Sequence, residues 1–371
     1  MANRGNGVDV IVVGAGIMGL WCAWAALDRG LTVRVLDRAG PGAGASGGVI
    51  GALSPHTPDR WNPKKQFQVE ALLALGPALA RVEAASGLSA GYGRVGRLQP
   101  VRDARGAELA RERVAGAAAF WGDAARLALL GPETCTGWAD PDAAPEGWLH
   151  DTLSARLDPR ATCRALAAGI TARGGAVETG DVVAVGPGRV ETASARSDAG
   201  AVIVAGGVAA FDLLAPHLGE VAGRGEKGQA LVVAGRMPPD TPILYGNGTY
   251  VIAHAAGGIA VGATSERVYD DPLAVDGLLE EALDRARALC PVIREAPVLR
   301  RWAGVRPRAN GRDPMLGAVP GVDGLFAATG GFKISFGIAE KAARHVIEEV
   351  IDGATDLPET FRVRAHVGRG P

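Results

Sequence analysis

Lysine, cysteine and aromatic residues are all scarce in this 371-residue chain. The only lysines are Lys64, Lys65, Lys227, Lys333 and Lys341, so arginine carries nearly all the positive charge. A formal net charge of −1 offers no bulk attraction to nucleic acid or to an anionic membrane, and no nucleic-acid partner is expected. The four cysteines, Cys22, Cys135, Cys163 and Cys290, form no C-x-x-C pair, and no histidine–cysteine cluster has metal spacing, so no metal is expected. Reduced, mostly buried thiols in a cytoplasmic protein are the simplest expectation. No run is long and apolar enough to cross a bilayer. One stretch imitates a secretion signal: Arg4, the apolar run from Val10 to Ala26, and the triplet Ala23-Trp24-Ala25. Asp9 before the run, three glycines within it, and Asp28-Arg29-Gly30 leading into another strand argue against that reading.

What is present is ordinary globular material, 47% apolar and 21% charged, long enough for two folded units with substantial cores. Val8 to Val13 reads as a buried parallel strand. Gly14-Ala15-Gly16-Ile17-Met18-Gly19 follows at once, then a helical stretch to about Leu27, then a strand from Thr32 to Leu36 that ends at Asp37 and Arg38. This is the whole strand, glycine turn, helix, strand and acid arrangement of a dinucleotide site. Gly14 allows the tight turn, Gly16 lets backbone approach a pyrophosphate, and Gly19 lets the helix pack on the sheet. The helix N-terminus presents unpaired N–H groups to the phosphates, and Asp37 can accept from ribose hydroxyls.

NAD and FAD both suit that turn. After the acid, however, the chain runs through small residues from Gly40 to Leu53, including Ala45, Ser46, Ile50, Gly51 and Ala52, where an NAD fold would return through a helix. Backbone so bare suits close approach of a large flat ring, and Val49, Ile50 and Leu53 within it argue against a flexible linker.

Ala45-Ser46, the stretch Ile50-Gly51-Ala52-Leu53 leading to His56, and Ala201-Val202-Ile203-Val204-Ala205-Gly206-Gly207 resemble the D-amino acid oxidase superfamily of FAD-dependent oxidoreductases, and within it glycine oxidase most closely. So do Tyr250-Val251-Ile252 before Ile259 to Thr264, Trp302-Ala303-Gly304-Val305-Arg306-Pro307 (W-A-G-x-R-P), Pro314-Met315-Leu316-Gly317, and Gly324 to Lys333. The resemblance implies an α/β protein, α+β overall. A Rossmann-type FAD-binding domain would be built from discontinuous segments, about 1–80, 145–220 and 315–371. A substrate domain with a mostly antiparallel sheet would come from 81–144 and 221–314. Helices are expected from Pro159 to about Ala172, from Leu278 to Leu289 and from Ile338 to Ile351, with a tail after Phe361.

The resemblance also implies roles. The glycine turn, Asp37, Arg38, Ala45, Ser46, Ile50 to Leu53, Ala205 and Gly206 would hold FAD, and Val183 would lie where the family holds the adenine. Gly330, Gly331, Phe332, Lys333, Ile334, Ser335 and Phe336 would reach the flavin, with the final helix's N-terminus supporting its reduced form. Arg306 would anchor a substrate carboxylate through its planar fork, and Tyr250 would donate a second hydrogen bond. Lys333 stands where glycine oxidase has a second arginine, and Gly331 where it has histidine. Lys333 could offset charge on reduced flavin or aid reoxidation instead. His56 and His254 read as structural. No cysteine occupies the Arg306–Gly317 segment where sarcosine oxidases tether flavin, so non-covalent FAD is expected.

The expected activity is oxidation of the C–N bond of a small amino acid or N-alkyl amino acid by hydride transfer, giving an imine that is hydrolysed. The partners are then a small amino-carboxylate and an acceptor, O2 or a quinone or carrier protein, in a possible homo-oligomer. The alternatives are a quinone- or carrier-linked amino acid dehydrogenase and a flavoprotein that modifies a protein partner.

Overall fold

An unbroken apolar run can be buried on both faces of a sheet, and the Val8–Val13 strand lies at the centre of one. The computed structural model describes residues 7–369. Val8–Val13 pairs in parallel with Val33–Asp37 on one side and Arg196–Val204 on the other. Leu325–Thr329 extends the sheet in parallel and Met315–Ala318 closes that edge antiparallel, while Ala176–Thr179 closes the other. Val10, Ile11, Val12, Val202, Ile203 and Val204 are essentially inaccessible.

The helix Ile17–Asp28 is apolar all round because it is covered all round. Trp21 and Leu20 share one core with Leu72 and Leu75 of the helix Pro63–Ser86, Leu166 of Pro159–Ala172 and Val346 of Ser335–Asp352. The sheet's other face is covered by Phe211 and Leu214 of Ala209–Leu218. Asp158 caps Pro159–Ala172 by accepting from the Ala161 N–H (2.9 Å), and Gly353 ends the last helix in the left-handed conformation. The run Val10 to Ala26 is thus spent on the central strand and its buried helix; Arg4 lies outside the described residues. Among the described residues no helix is long and apolar enough to cross a membrane.

A second eight-stranded sheet runs in the order Val298–Ala309, Gly223–Val233, Ile259–Gly262, Thr249–Ala253, Ile243–Gly246, Arg97–Pro100, Trp148–Asp151, Leu127–Leu130. Every pairing is antiparallel except that of Ile243–Gly246 with Arg97–Pro100. One face carries the helix Gly277–Arg287 through Leu279, Leu283 and Ala286. The other, with Ala230, Ile252, Ala260, Tyr250 and Trp302, packs on Val49 and Ile50 of the small-residue stretch.

Two expectations need correction. Trp148–Asp151 lies in the segment assigned to the FAD-binding part, yet it is paired into the second sheet. Four residues carry no periodicity that could say which sheet they join. The residues after Phe361 are not a tail. Short turns at Glu359–Phe361 and Val363–His366 bury Phe361, Val363 and His366. His366 Nδ1 accepts from the Gly311 N–H (3.2 Å), so Nε2 carries the proton toward the Pro314 carbonyl (3.2 Å).

The glycine turn joins strand to helix at contact distance. Gly14 adopts φ 108° with its Cα against Ala205, and a Cβ on Gly19 would collide with the Gly14 carbonyl oxygen. Alanine normally stabilises a helix relative to glycine. Gly19→Ala is expected to do the reverse here, lowering unfolding stability in urea by about 1–3 kcal/mol. An unchanged or raised midpoint would reject this packing.

Candidate active site

The carboxyl ends of the parallel strands are where an open α/β sheet presents a ligand site. A cavity lies there, between the two sheets. Its walls include the turn Gly16 to Met18 with Asp37, the small-residue run Gly44 to Ala52, Ala205 to Gly207, the hairpin tip Tyr245 to Tyr250, and Trp302 to Pro307. Ala328 to Phe336 closes it.

At one end the wall is backbone. Asp37 Oδ2 accepts from the Ala15 N–H (2.7 Å) and Oδ1 from the Ala39 and Gly40 N–H groups (2.8 and 2.9 Å), so the carboxylate braces the turn. Oδ2, with a single donor, retains acceptor capacity toward the cavity that Asp37 lines. Ser46 Oγ accepts from the Ile17 N–H (3.0 Å), and the first helix has no side-chain cap at Gly16. A Cβ at Gly16 would meet only Ser46 Oγ, at 3.3 Å. At Gly206 nothing lies nearer than 3.7 Å, and at Gly44 and Gly207 nothing lies within 4 Å. Gly207 sits at φ 65°, which itself favours glycine, but at Gly16, Gly44 and Gly206 neither backbone strain nor a severe clash requires the position to be bare; a flat or phosphorylated ligand would. These residues fit FAD.

Of the sequence-predicted cofactor residues, Gly16, Ile17, Met18, Asp37, Ala45, Ser46, Ile50, Ala52, Ala205 and Gly206 line the cavity, as do Gly330, Gly331, Phe332, Lys333, Ser335 and Phe336. Gly14, Ala15, Gly19, Gly51 and Leu53 are buried behind that wall. Ile334 packs against the core, and Arg38 is exposed outside. Val183, on Val182–Gly186, is 58% exposed and lies off the cavity wall.

At the other end the wall is charged and aromatic. Along the strand Val298–Ala309, Trp302, Gly304, Arg306 and Arg308 follow the two-residue repeat of one face. A Cβ at Gly304 would strike the Trp302 ring, and one at Gly228, on the neighbouring strand, would strike the Arg306 guanidinium. Two glycines thus make room for two large side chains. Arg306 Nη2 donates to the carbonyls of Thr264 (2.7 Å) and Lys227 (3.2 Å), while Nε is buried without a partner. Among the described residues Arg306 forms no ion pair; its neighbour Arg308 has taken Glu226. Burial pushes the Arg306 pKa down to about 10, with Glu226 and Glu266 partly opposing. The expected open fork is therefore half used, leaving Nη1 for a ligand.

The Phe332 ring lies 5.1 Å from both the Arg306 and Arg308 guanidinium carbons and 5.4 Å from Lys333 Nζ. Phe332 itself sits at φ 48°, a conformation disfavoured for a side chain of its size. Burial, together with Arg306 and Arg308, lowers the Lys333 pKa, against the pull of Glu226. The last helix starts at Ser335 with no side-chain cap.

Tyr250 packs on Tyr245, directly opposite in the hairpin, with centroids 4.3 Å apart. Behind them is a buried ion pair, Arg97 Nε to Asp151 Oδ2 at 3.0 Å, with the guanidinium 5.8 Å from the Tyr245 ring. Burial opposes the Arg97 charge, but Asp151 and Tyr250 outweigh it and raise its pKa.

Sequence reasoning missed Tyr245, Gly248, Gly207, Thr329 and the wall role of Trp302. Strand alternation from Arg306 would have found Trp302, whereas Tyr245 shows itself only through hairpin register. His56 pairs with Gln68, and His254 Nε2 is bonded to the Val49 carbonyl (2.9 Å); neither lines the cavity. Nor does any cysteine. Cys22, Cys163 and Cys290 are buried, with their thiols pushed up to about 12 by burial, and Cys135 is exposed.

Residues 9–345 match the family model described as DAO, FAD dependent oxidoreductase. The chain is 29% identical over 351 residues to the uncharacterized oxidoreductase YurR of Bacillus subtilis (strain 168), covering 86% of this chain and 88% of that protein. It is 25% identical over 362 residues to a glycine oxidase of Bacillus licheniformis, covering 95% and 96%. The crystal structure of glycine oxidase from Geobacillus kaustophilus superposes with a TM-score of 0.86 over 97% of this chain and 99% of that one, at 21% identity, which shows a shared fold.

Gly16→Leu should abolish FAD binding while leaving apoprotein stability within about 0.5–1 kcal/mol of wild type, because the added side chain enters the cavity and not the core. Flavin retained by that variant would place the pyrophosphate elsewhere. Acid precipitation of the wild-type protein should release all flavin to the supernatant; a yellow pellet would reveal a covalent link.

Proposed function

We propose that this chain, which belongs to the DAO family of FAD-dependent oxidoreductases, oxidises the Cα–N bond of a small amino acid or N-alkyl amino acid. The observation that carries this reading is Arg306: a half-buried guanidinium on the cavity wall, hydrogen-bonded to carbonyl oxygens and in no ion pair among the described residues, with Glu226 and Glu266 acting on it only at longer range. A buried cation left without a counter-ion destabilises the protein, and an incoming carboxylate removes that penalty. Carbonyls fix Nη2, so the anion is received at Nη1 in a set direction. Tyr250, on the hairpin across the cavity, donates to the same carboxylate. Two anchors fix the carboxylate and so orient Cα.

FAD, when bound, supplies the two-electron acceptor that takes the hydride from Cα. The substrate nitrogen must be neutral beforehand, and among the described residues the only carboxylate lining the cavity is Asp37, at the nucleotide end. No side chain at the substrate end is a ready base. With Arg306 spent on the carboxylate, Lys333 is the cation left to act on the ammonium electrostatically: a nearby positive charge lowers its pKa, so its proton leaves to solvent. Loss of that proton and of the hydride leaves a protonated imine. Water then hydrolyses the imine to an oxo acid and ammonia or an amine.

The test is anaerobic flavin reduction with an amino acid and with the matching amine that lacks the carboxylate. Arg306→Ala should lower efficiency toward the amino acid about 10- to 100-fold, as loss of a charge-assisted pair of roughly 1.5–3 kcal/mol requires. The amine should be affected far less, and FAD content should persist. Arg306→Lys should recover part of the loss. Equal losses on both substrates would overturn the carboxylate anchor and with it the amino-acid reading.

A pH dependence follows. Carboxylate binding needs protonated Arg306, whose pKa is pushed down to about 10. The preference for amino acid over amine should be constant at neutral pH and fall as pH rises through about 10. A preference that held to pH 12 would reject Arg306 as the anchor.

A further inference from the structure

We propose that Arg97 is a positioning residue: it donates to the Tyr250 hydroxyl and so leaves that hydroxyl's proton directed into the cavity, toward the substrate carboxylate. This rests on the amino-acid reading, in which Tyr250 is the second anchor, and adds what gives that anchor its direction. Strand register brings the parts together on one face of the second sheet. Arg97 stands directly opposite Asp151 on one neighbouring strand and Ile243 on the other. Tyr245 follows Ile243 by two residues and so shares its face, and it is paired with Tyr250 across the hairpin. The guanidinium lies 5.8 Å from the Tyr245 ring, and the two tyrosine rings are 4.3 Å apart. The Arg97 side chain is hydrogen-bonded to Tyr250 as well as to Asp151. Tyr245 and Tyr250 line the cavity, whereas Arg97 does not and is only 7% exposed. It meets the cavity through the tyrosines in front of it.

The arginine is itself held. Asp151 is fully buried; its Oδ2 accepts from Arg97 Nε (3.0 Å) and from Ser154 Oγ (3.0 Å), and its Oδ1 accepts from the Ser154 N–H (2.6 Å). Ser154 Oγ lies 3.1 Å from Ser54 Oγ, on the segment that continues from the cavity-lining Ala52. Stability alone gives little reason for such a pair, because apolar residues of similar volume in its place are often as stable. The direction of a hydroxyl gives one. A phenol has one donor and two acceptor sites, and on its own it accepts from an ammonium or a water as readily as it donates to a carboxylate. A guanidinium only donates, so its bond to Tyr250 takes an acceptor site and leaves the proton for another partner. The substrate carboxylate is that partner. Because Asp151 neutralises Arg97, the pair sets the hydroxyl without placing a second full charge in competition with Arg306 for the anion.

The experiment is a double-mutant cycle that reads acetate binding to the holoenzyme through flavin absorbance changes. Arg97→Met alone would leave Asp151 as a lone buried charge, so both partners are replaced together, as Arg97→Met/Asp151→Asn, which keeps the net charge. This variant should bind acetate about 5- to 10-fold more weakly than wild type, and Tyr250→Phe about 10-fold or more, as loss of a hydrogen bond to a charged group requires. In the Tyr250→Phe background, removing the pair should cost nothing further. Arg97→Lys keeps a donor and a charge opposite Asp151, and should bind acetate with intermediate affinity. Should the paired variant not fold, Arg97→Lys and Arg97→Lys/Tyr250→Phe carry the same comparison. The preference for an amino acid over its matching amine in anaerobic flavin reduction should fall by the same factors. The proposal is overturned if removing the pair leaves acetate binding unchanged, or weakens it equally with and without the Tyr250 hydroxyl. It is overturned also if Arg97→Lys binds no better than the paired variant. Those results leave the amino-acid reading standing wherever an amino acid still reduces the flavin ahead of its amine. Acetate binding that depends on Arg97 through Tyr250, with no reduction by any amino acid, would uphold the positioning role and overturn that reading.

Discussion

Arg306 is hydrogen-bonded to carbonyl oxygens and to no carboxylate among the described residues, and a large part of the second sheet is arranged around that fact. The Thr264 and Lys227 carbonyls are aimed at Nη2, and both are locked from behind. Thr264 Oγ accepts from the Gln229 N–H (2.9 Å), and the Gln229 side-chain amide donates to Glu266 (3.1 Å) and Asp276 (2.8 Å). The Lys227 ammonium turns away from the cavity toward the same two carboxylates. A buried, nearly fully satisfied network therefore clamps the segment after Thr264 to the strand Gly223–Val233. The one group it leaves unsatisfied is the guanidinium. One arginine is left out of any ion pair among the described residues, while Lys227, Arg308, Glu226, Glu266 and Asp276 around it are each given one.

The two ends of the cavity use opposite materials for one reason. Where a flat or phosphorylated ligand must approach closely, the wall is backbone, and side chains are absent at Gly16, Gly44, Gly206 and Gly207. At the opposite end the wall is made of the large side chains Arg306, Tyr250, Trp302 and Lys333. Gly228 and Gly304 belong to the second end although they touch no ligand, because they set the positions that Arg306 and Trp302 occupy.

Much of this could be read from the residues in order. The glycine turn, the acid after the second strand, the apolar runs at Val8–Val13 and Leu325–Thr329, and the capped helix after Asp158 are local signals, and each appears where its chemistry places it. What escaped was settled by pairing across long separations. Trp148–Asp151 joins the second sheet because Arg97–Pro100 and Leu127–Leu130 flank it, and Tyr245 reaches the cavity because hairpin register sets it opposite Tyr250. The last turns are ordered by Gly311 and Pro314 receiving His366, a contact that no pattern within Phe361 to Val367 announces. Val183 marks the same boundary from the other side: its strand forms, but strand formation alone does not place its side chain on the cavity wall.

The order of strands in the first sheet bears on how the molecule comes into being. Its centre is made from the first residues of the chain, yet the strand that covers Arg196–Val204 on its open side is Leu325–Thr329. During synthesis the edge of Arg196–Val204 stays unpaired until more than a hundred further residues have emerged, and the second sheet's outermost strand, Val298–Ala309, arrives only shortly before. Non-local pairing of this kind slows folding and leaves a strand edge open to wrong partners meanwhile. The cavity cannot exist before that last parallel strand docks, because Ala328 to Phe336 is one of its walls. Cofactor capture is thereby tied to the arrival of residues 325–336, and a nascent molecule that lacks them would present an adhesive sheet edge and no place for a flavin.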